Sequence, residues 1–245
     1  MVDNLGSLEA RSGAGTKIFV APFYACSPTG GSKTVIFNST VESVDDTASD
    51  VSKITLKDAY EDNLGLPIGT PVDFITPGGL VRTAILTAEW DDAITELSVE
   101  KLDLPIPAGS TVNWPPLFTG TTSTTITSNR EVDTQNTIDA NGWQTAIPTT
   151  KNVEITVDGY YTPASAVGRI INNAGYSDSH PFVEVIAIAP VSGCEGAEKR
   201  EVYQGLFITT PFNAGERSAS GPTMVNVVFN STAEIEYELQ SAPFS

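Results

Sequence analysis

The sequence predicts a mainly β protein with one flanking α-helix and an additional small β-barrel-like unit. Three observations carry this. Short runs with apolar–polar alternation recur at roughly 10-residue spacing between Thr34 and Pro116, with turn residues between them. Thr, Ser, Val, Gly and Pro are abundant while Met occurs 2 times, a mix that favours strands and turns over helices. One stretch alone, 162–175, has apolar residues at helical spacing.

Taken in order, residues 1–15 are polar and Gly-rich and read as an arm. The run TKIFVAPFY (Thr16–Tyr24) is a first strand with a Pro break, followed by the loop CSPTGGSK. Then come TVIFNSTV, SKITLKDA, TPVDFIT, the turn PGG, LVRTAILTAEW, ITELSVEKL and STVNW, each a short strand. The stretch Pro115–Asn129 leads into a Thr-rich strand. In KNVEITVDGYY, Val153, Ile155 and Val157 fall on one face, and Glu154, Thr156 and Asp158 on the other. In TPASAVGRIINNAG, Thr162 can cap a helix, Pro163 fits its first turn and Gly175 can stop it. Its Val167, Ile170, Ile171 and Ala174 form one core-facing stripe. PFVEVIAIAPV, REVYQGLFITTPFN (with a bulge expected at Gly205), PTMVNVVFNST and AEIEYELQSA complete the strands. The expected division is 1–33 (arm and first strand), 34–116 (small β-domain) and 117–245 (main domain).

The 245 residues carry a net charge of -17. Residues 34–116 hold 14 acids and 4 bases, a net of -10, and the remainder is -7. Polyanions are repelled by such a surface, which excludes ordinary nucleic-acid binding. Cys26 and Cys194 are too few for a secreted disulfide scaffold and are expected to be reduced thiols. MVDNLGSLEARSGAG contains no apolar core of a secretory signal, and no run of apolar residues is long enough to cross a membrane as a helix.

A search for chemistry finds little. His180 is the one histidine, and its sequence neighbours Ser177 and Asp178 do not make a triad, which must converge across a fold. One His and two distant Cys do not supply a transition-metal site, and no Asp-rich calcium loop is present. The adjacent acids of VDDT and WDDA point to opposite faces of a strand, unlike a glycosidase pair. Neither TGG nor PGG has the lysine and spacing of a phosphate loop. Trp90, Trp114 and Trp143 lie in three separate segments and read as packing residues rather than a sugar platform. No catalytic residue, metal or cofactor is expected.

The second half carries a resemblance. In SNREVDTQNTIDANGWQTAIPTTKNVEITVDGYYTPASAVGRIINNAG an acidic-Thr segment leads to Gly142-Trp143, then Pro148, an alternating strand closing on Asp158-Gly159, and a short helix. FVEVIAIA, VYQGLFITT, PTMVNVVFNST and AEIEYELQSA follow. This order resembles the major tail tube proteins of long-tailed phages, over roughly Thr119–Ser245. Residues 34–116 look like the small β-modules common in phage structural proteins.

The resemblance implies a β-sandwich flanked by a helix, with six subunits joining their inner sheets into a barrel around a lumen. Rings stack into a tube that conducts the genome without binding it specifically. The partners implied are further copies, initiator or baseplate and terminator proteins, and a sheath where the tail contracts. The location implied is the virion tail, assembled in the host bacterial cytoplasm. The segment Glu131–Pro148 would reach a neighbouring subunit or ring. That makes Asp133, Asn136, Trp143 and Pro148 interface candidates, with Arg130, Lys151 and Arg169 as bases that pair with a neighbour's acids or with solvent.

Two polar strand faces suit a lumen: Glu154 with Asp158, and Glu234 with Glu236 and Glu238 opposite Ile235, Tyr237 and Leu239. The competing reading makes them ordinary solvated faces. A virion adhesion or carbohydrate-binding module, and a carboxylate hydrolase, are the alternative functions; no particular acid pair points to the latter.

Overall fold

The structure, a computed structural model, describes residues 16–23, 36–48, 50–59, 65–90, 94–136, 144–160, 165–177, 181–190, 199–209, 213–214, 224–232 and 235–241. The arm 1–15, Cys26, Trp143, Thr162, Pro163, His180, Cys194 and Glu234 lie outside the described residues. Among the described residues the chain is mainly β with one helix, as its composition and patterning predict.

Two sheets share the strands. The first takes β1 (Lys17–Pro22), β8 (Thr121–Asn136), β9 (Gln144–Tyr160), β10 (Phe182–Pro190), β11 (Lys199–Thr209), β12 (Asn213–Ala214), β13 (Met224–Ser231) and β14 (Glu236–Ser241). Its strand order is β1-β10-β11-β13-β9-β8, with β12 on β13 and β14 on β11. The second takes β2 (Phe37–Asp45), β3 (Val51–Leu56), β4 (Pro71–Ile75), β5 (Val81–Ile85), β6 (Glu96–Glu100) and β7 (Thr111–Trp114), in the order β5-β4-β7-β2-β3-β6. Its ends meet: Leu86 bridges Val99, and the Thr87 N–H donates to the Ser98 carbonyl at 2.9 Å. The sheet therefore curls into a barrel-like wrap.

Each sheet has its own core. Inside the wrap Trp90, Trp114, Phe74, Val72, Ile54 and Leu97 are buried together. The Trp90 indole N–H is satisfied by the Ile94 carbonyl at 3.0 Å, as a buried indole requires. On one face of the larger sheet, Val153, Ile155 and Val157 pack with Val183, Val185, Phe207, Val227 and Phe229. Helix α1 (Ala166–Gly175) closes over them with Val167, Ile170, Ile171 and Ala174. The helical stripe and the strand alternation are those the sequence predicts.

The helix ends differ from expectation. Ser165, not Thr162, is the N-cap, its hydroxyl accepting from the Gly168 N–H at 3.1 Å. The C-cap is Tyr176, whose N–H donates to the Asn172 carbonyl at 3.0 Å, so Gly175 closes the last turn without being the stop. Ser165→Ala is expected to cost about 1 kcal/mol of unfolding free energy, read by denaturant titration.

Gly205 is not a bulge. The β10–β11 register runs unbroken through Val185↔Gly205. A side chain at 205 would run into Ile235, and here β11 changes partner, from β14 along 199–204 to β13 along 207–209. In the larger sheet the described register shifts lie in the β8–β9 ladder instead, at Thr121/Ser123 and Glu131/Val132. The second falls where Pro148, which has no N–H to give a ladder, is paired with Val132.

The two sheets meet along β1. The Val20 N–H donates to the Pro116 carbonyl at 3.1 Å and the Phe118 N–H to the Ile18 carbonyl at 2.7 Å. Ala21 packs into the core of the wrap. Across the same junction the Asp73 carboxylate of β4 accepts from the Ala166 N–H at 3.1 Å, one of the donors an α-helix leaves unsatisfied at its start.

Candidate assembly surface

Antiparallel partners project to the same side of a sheet, so the registers decide which residues share a face. Asp158 pairs with Asn226 and Glu154 with Asn230. Asn230 pairs with Ile208, on the same side of β11 as Gln204 and Val202. Gln204 pairs with Glu236 and Val202 with Glu238. The four described acidic candidates, from two strands far apart in sequence, therefore share one face of the larger sheet. It is the face turned away from α1 and the core beneath it, and at its β1 end Phe19, Ile186 and Ile188 are buried on it, packed with Leu117 and Val202.

On that face Asp158 is tightly held. Ser123 Oγ donates to its Oδ2 at 2.6 Å and Asn226 Nδ2 to its Oδ1 at 2.7 Å. The Ser123 bond, then the Asn226 bond, hold its carboxyl below the usual range against a small opposing effect of burial. Glu154 is half-buried opposite Thr127 of β8, and Glu236 and Glu238 are exposed. Glu184 lies on the same face and accepts from Gln204 Nε2 at 2.7 Å. Lys17 and Arg200 are the bases the registers place on this side, towards β1. The β8–β9 register adds Glu131, opposite Thr150, and six acids against two bases, among the described residues, give the face a negative field.

The apolar side of β14 departs from expectation. Ile235 packs against the core, but Tyr237 and Leu239 are 51% and 49% exposed. β14 pairs only with the first half of β11, at the margin of the sheet, and the core reaches no further than Ile235. Tyr237 instead stacks at a tilt on Tyr203, ring centroids 5.2 Å apart. Both hydroxyls donate to Glu201, at 3.1 Å from Tyr203 and 3.3 Å from Tyr237.

The β8–β9 hairpin extends past the sheet. The last β13 partner of β9 is Asn230, opposite Glu154, and the Ser231 hydroxyl, accepting from the Val153 N–H, tethers the strand just beyond. From Lys151 to Gln144 the described partner of β9 is β8 alone. Eight residues at strand rise make a two-stranded ribbon about 25 Å long. Arg130, Asp133 and Asn136 sit on its first arm, and Pro148 and Lys151 on its second. Arg169 lies elsewhere, on α1, where its charge acts on Asp73 across the junction of the sheets.

Asp73 and Glu201 escaped the sequence reading. Asp73 sits in an apolar strand, and its partners Thr83 and Ala166 come from a neighbouring strand and from the other sheet's helix. Glu201 precedes Tyr203 by two residues on one strand face, a local signal for the first hydroxyl but not for that of Tyr237.

Among the described residues no group of three or more His, Cys, Asp or Glu side chains could hold a metal ion. No described helix is long and apolar enough to cross a membrane. Among the described residues the arrangement offers two surfaces for packing, an acidic face and an overhanging ribbon.

No protein-family model matches the chain, and no curated protein matches it significantly. Two solved structures are similar over part of it. One is a chain in the tail of an empty GTA particle refined with C6 symmetry, 19% identical, covering 49% of this chain and 82% of that chain with a TM-score of 0.37. The other is a chain in the virion of a native gene transfer agent (GTA) particle, 18% identical, covering 49% of this chain and 85% of that chain with a TM-score of 0.36. At these scores the likeness is partial, and the role of the chain rests on its own residues.

Proposed function

We propose that this chain is a major tail tube protein of a long-tailed phage. Six copies form a ring, rings stack into a tube, and the genome passes through the lumen without specific binding. The observation that carries the reading is the single acidic face formed by Glu154, Asp158, Glu236 and Glu238, backed by a buried core. Repeated around a ring, it surrounds the lumen with negative charge. DNA then gains no counterion release by adhering to the wall, and it slides.

The overhanging ribbon supports the same reading. A two-stranded hairpin alone is marginal in water and is stabilised by a partner surface. In this account the ribbon lies on the next subunit or ring, with Arg130, Lys151, Asp133 and Asn136 along its arms and Trp143 serving as an aromatic anchor of the interface. Residues 34–116 form an outer module on a tube domain built from 117–245 and the first strand. The chain works by assembly with its own copies and other tail proteins in the virion, with no cofactor and no catalytic step.

Sedimentation velocity over a concentration series tests this. The expected result is a monomer giving way to a six-subunit species and then to much larger polymers. A single small species throughout would contradict it.

A further inference from the structure

A groove crosses the junction of the two units, between the start of β4 and helix α1, with a volume of about 330 Å³. Pro67 and Ile68 line it from the smaller sheet's side, Ile170 from α1, and Phe23 and Phe182 from the ends of β1 and β10. Phe23 and Phe182 meet edge to face, ring centroids 6.1 Å apart. Phe23 nevertheless stays 39% exposed and Ile68 67%. No described residue lining the groove is charged, in a chain of net charge -17. An uncharged, largely apolar hollow on so acidic a protein marks a place where something packs.

The chain itself carries a segment of matching chemistry. The large apolar residues of 1–15 are Met1, Val2, Leu5 and Leu8, and the one charged side chain among residues 1–8 is Asp3. The groove presents no carboxylate to repel Asp3 and no base to favour a more acidic peptide. EARSGAG, 9–15, follows with no large apolar residue and with Ser12, Gly13 and Gly15, the composition of a linker. The lengths agree. β1 leads from Lys17 to Pro22, which lines the groove, a span of about 17 Å at strand rise. Residues 9–15 extend to roughly 24 Å, enough to double back along β1 and deliver Leu8 to the groove.

We propose that Met1–Leu8 docks in this groove of its own chain, its apolar residues covering Phe23 and Ile68. Because both units wall the groove, the docked segment is a strap that holds 34–116 against α1. The inference stands on the groove and the segment, independently of the ring reading above.

Disulfide trapping in the full chain, at a concentration where it sediments as a single subunit, tests it. Cys26→Ser and Cys194→Ser remove the natural thiols. Ser7→Cys is then combined with Asn173→Cys, exposed on α1 at the groove, or with Leu80→Cys, exposed in the turn at the opposite end of β4. The 7–173 pair is expected to close within one chain at least about tenfold faster than the 7–80 pair, because docking raises the local concentration at the groove. Equal rates overturn the inference, since the segment then has no preferred site. Cross-linked dimers in place of the intrachain bond also overturn it, by showing that a second copy's segment fills the groove.

Discussion

Replacing Asp73 by alanine is expected to lower the unfolding free energy by about 2–4 kcal/mol, the cost of stranding two buried donors net of relieving a buried charge. The donors are the Thr83 hydroxyl, 2.5 Å from Oδ1, and the Ala166 N–H, 3.1 Å from the same oxygen. The other oxygen, Oδ2, is buried with no hydrogen-bond partner. Burial pushes the Asp73 carboxyl above its ordinary value, while Thr83, Ala166 and the nearby Arg169 charge pull the other way. The sign of the pH effect follows. A folded-state value above the unfolded one means that the folded chain binds the proton more readily. The charged form burdens the folded state at neutral pH, and that burden lifts as pH falls through the raised value towards the unfolded one. Asp73→Asn keeps an acceptor for the helix without a charge. It is expected to cost much less than alanine and to remove this part of the pH dependence. Denaturant titrations of the three proteins at neutral and mildly acidic pH measure both effects. An alanine variant within about 0.5 kcal/mol of the parent would show that the contact contributes nothing.

Gly159→Ala is expected to destabilise by about 2 kcal/mol, within the range for overpacking a closely fitted site. A Cβ there would lie 2.9 Å from the Gly120 carbonyl oxygen and 3.3 Å from Thr121 Cα. These are backbone atoms, and the Tyr160 N–H bond to the same carbonyl, 3.1 Å, holds them in place. The start of the β8–β9 hairpin must open to admit one methyl group. Gly205→Ala is the informative contrast, because its Cβ meets the end of the Ile235 side chain, which can turn away. Thermal unfolding of both variants is expected to rank Gly159→Ala as the more damaging. The reverse order would mean that the hairpin base is slack.

Where periodicity is strong, the sequence was legible. The 153–158 alternation and the stripe of Val167, Ile170, Ile171 and Ala174 appear in the fold as read, because one side of each element faces a single core. What was hidden depends on partners distant in the chain. The helix begins at Ala166 because Ser165 caps Gly168 and Asp73, on another sheet, takes the Ala166 N–H. Thr162 and Ser165 are equivalent caps to a local reading. Gly205 looks like a bulge until Ile235 is seen against it. The half-exposed Tyr237 and Leu239 alternate like core residues, but a strand at the margin of a sheet has little core to meet. For the candidate surface, the acids could be read strand by strand. That Glu154 and Asp158 share a face with Glu236 and Glu238 depends on β11 and β13 lying between them, which is a matter of topology.

The central claim is that this chain builds a hollow ring, and negative-stain electron microscopy of the purified protein over a concentration series tests it most directly. The account predicts sixfold rings with an open centre, stacking into tubes as concentration rises. Compact particles without a lumen at every concentration would contradict it.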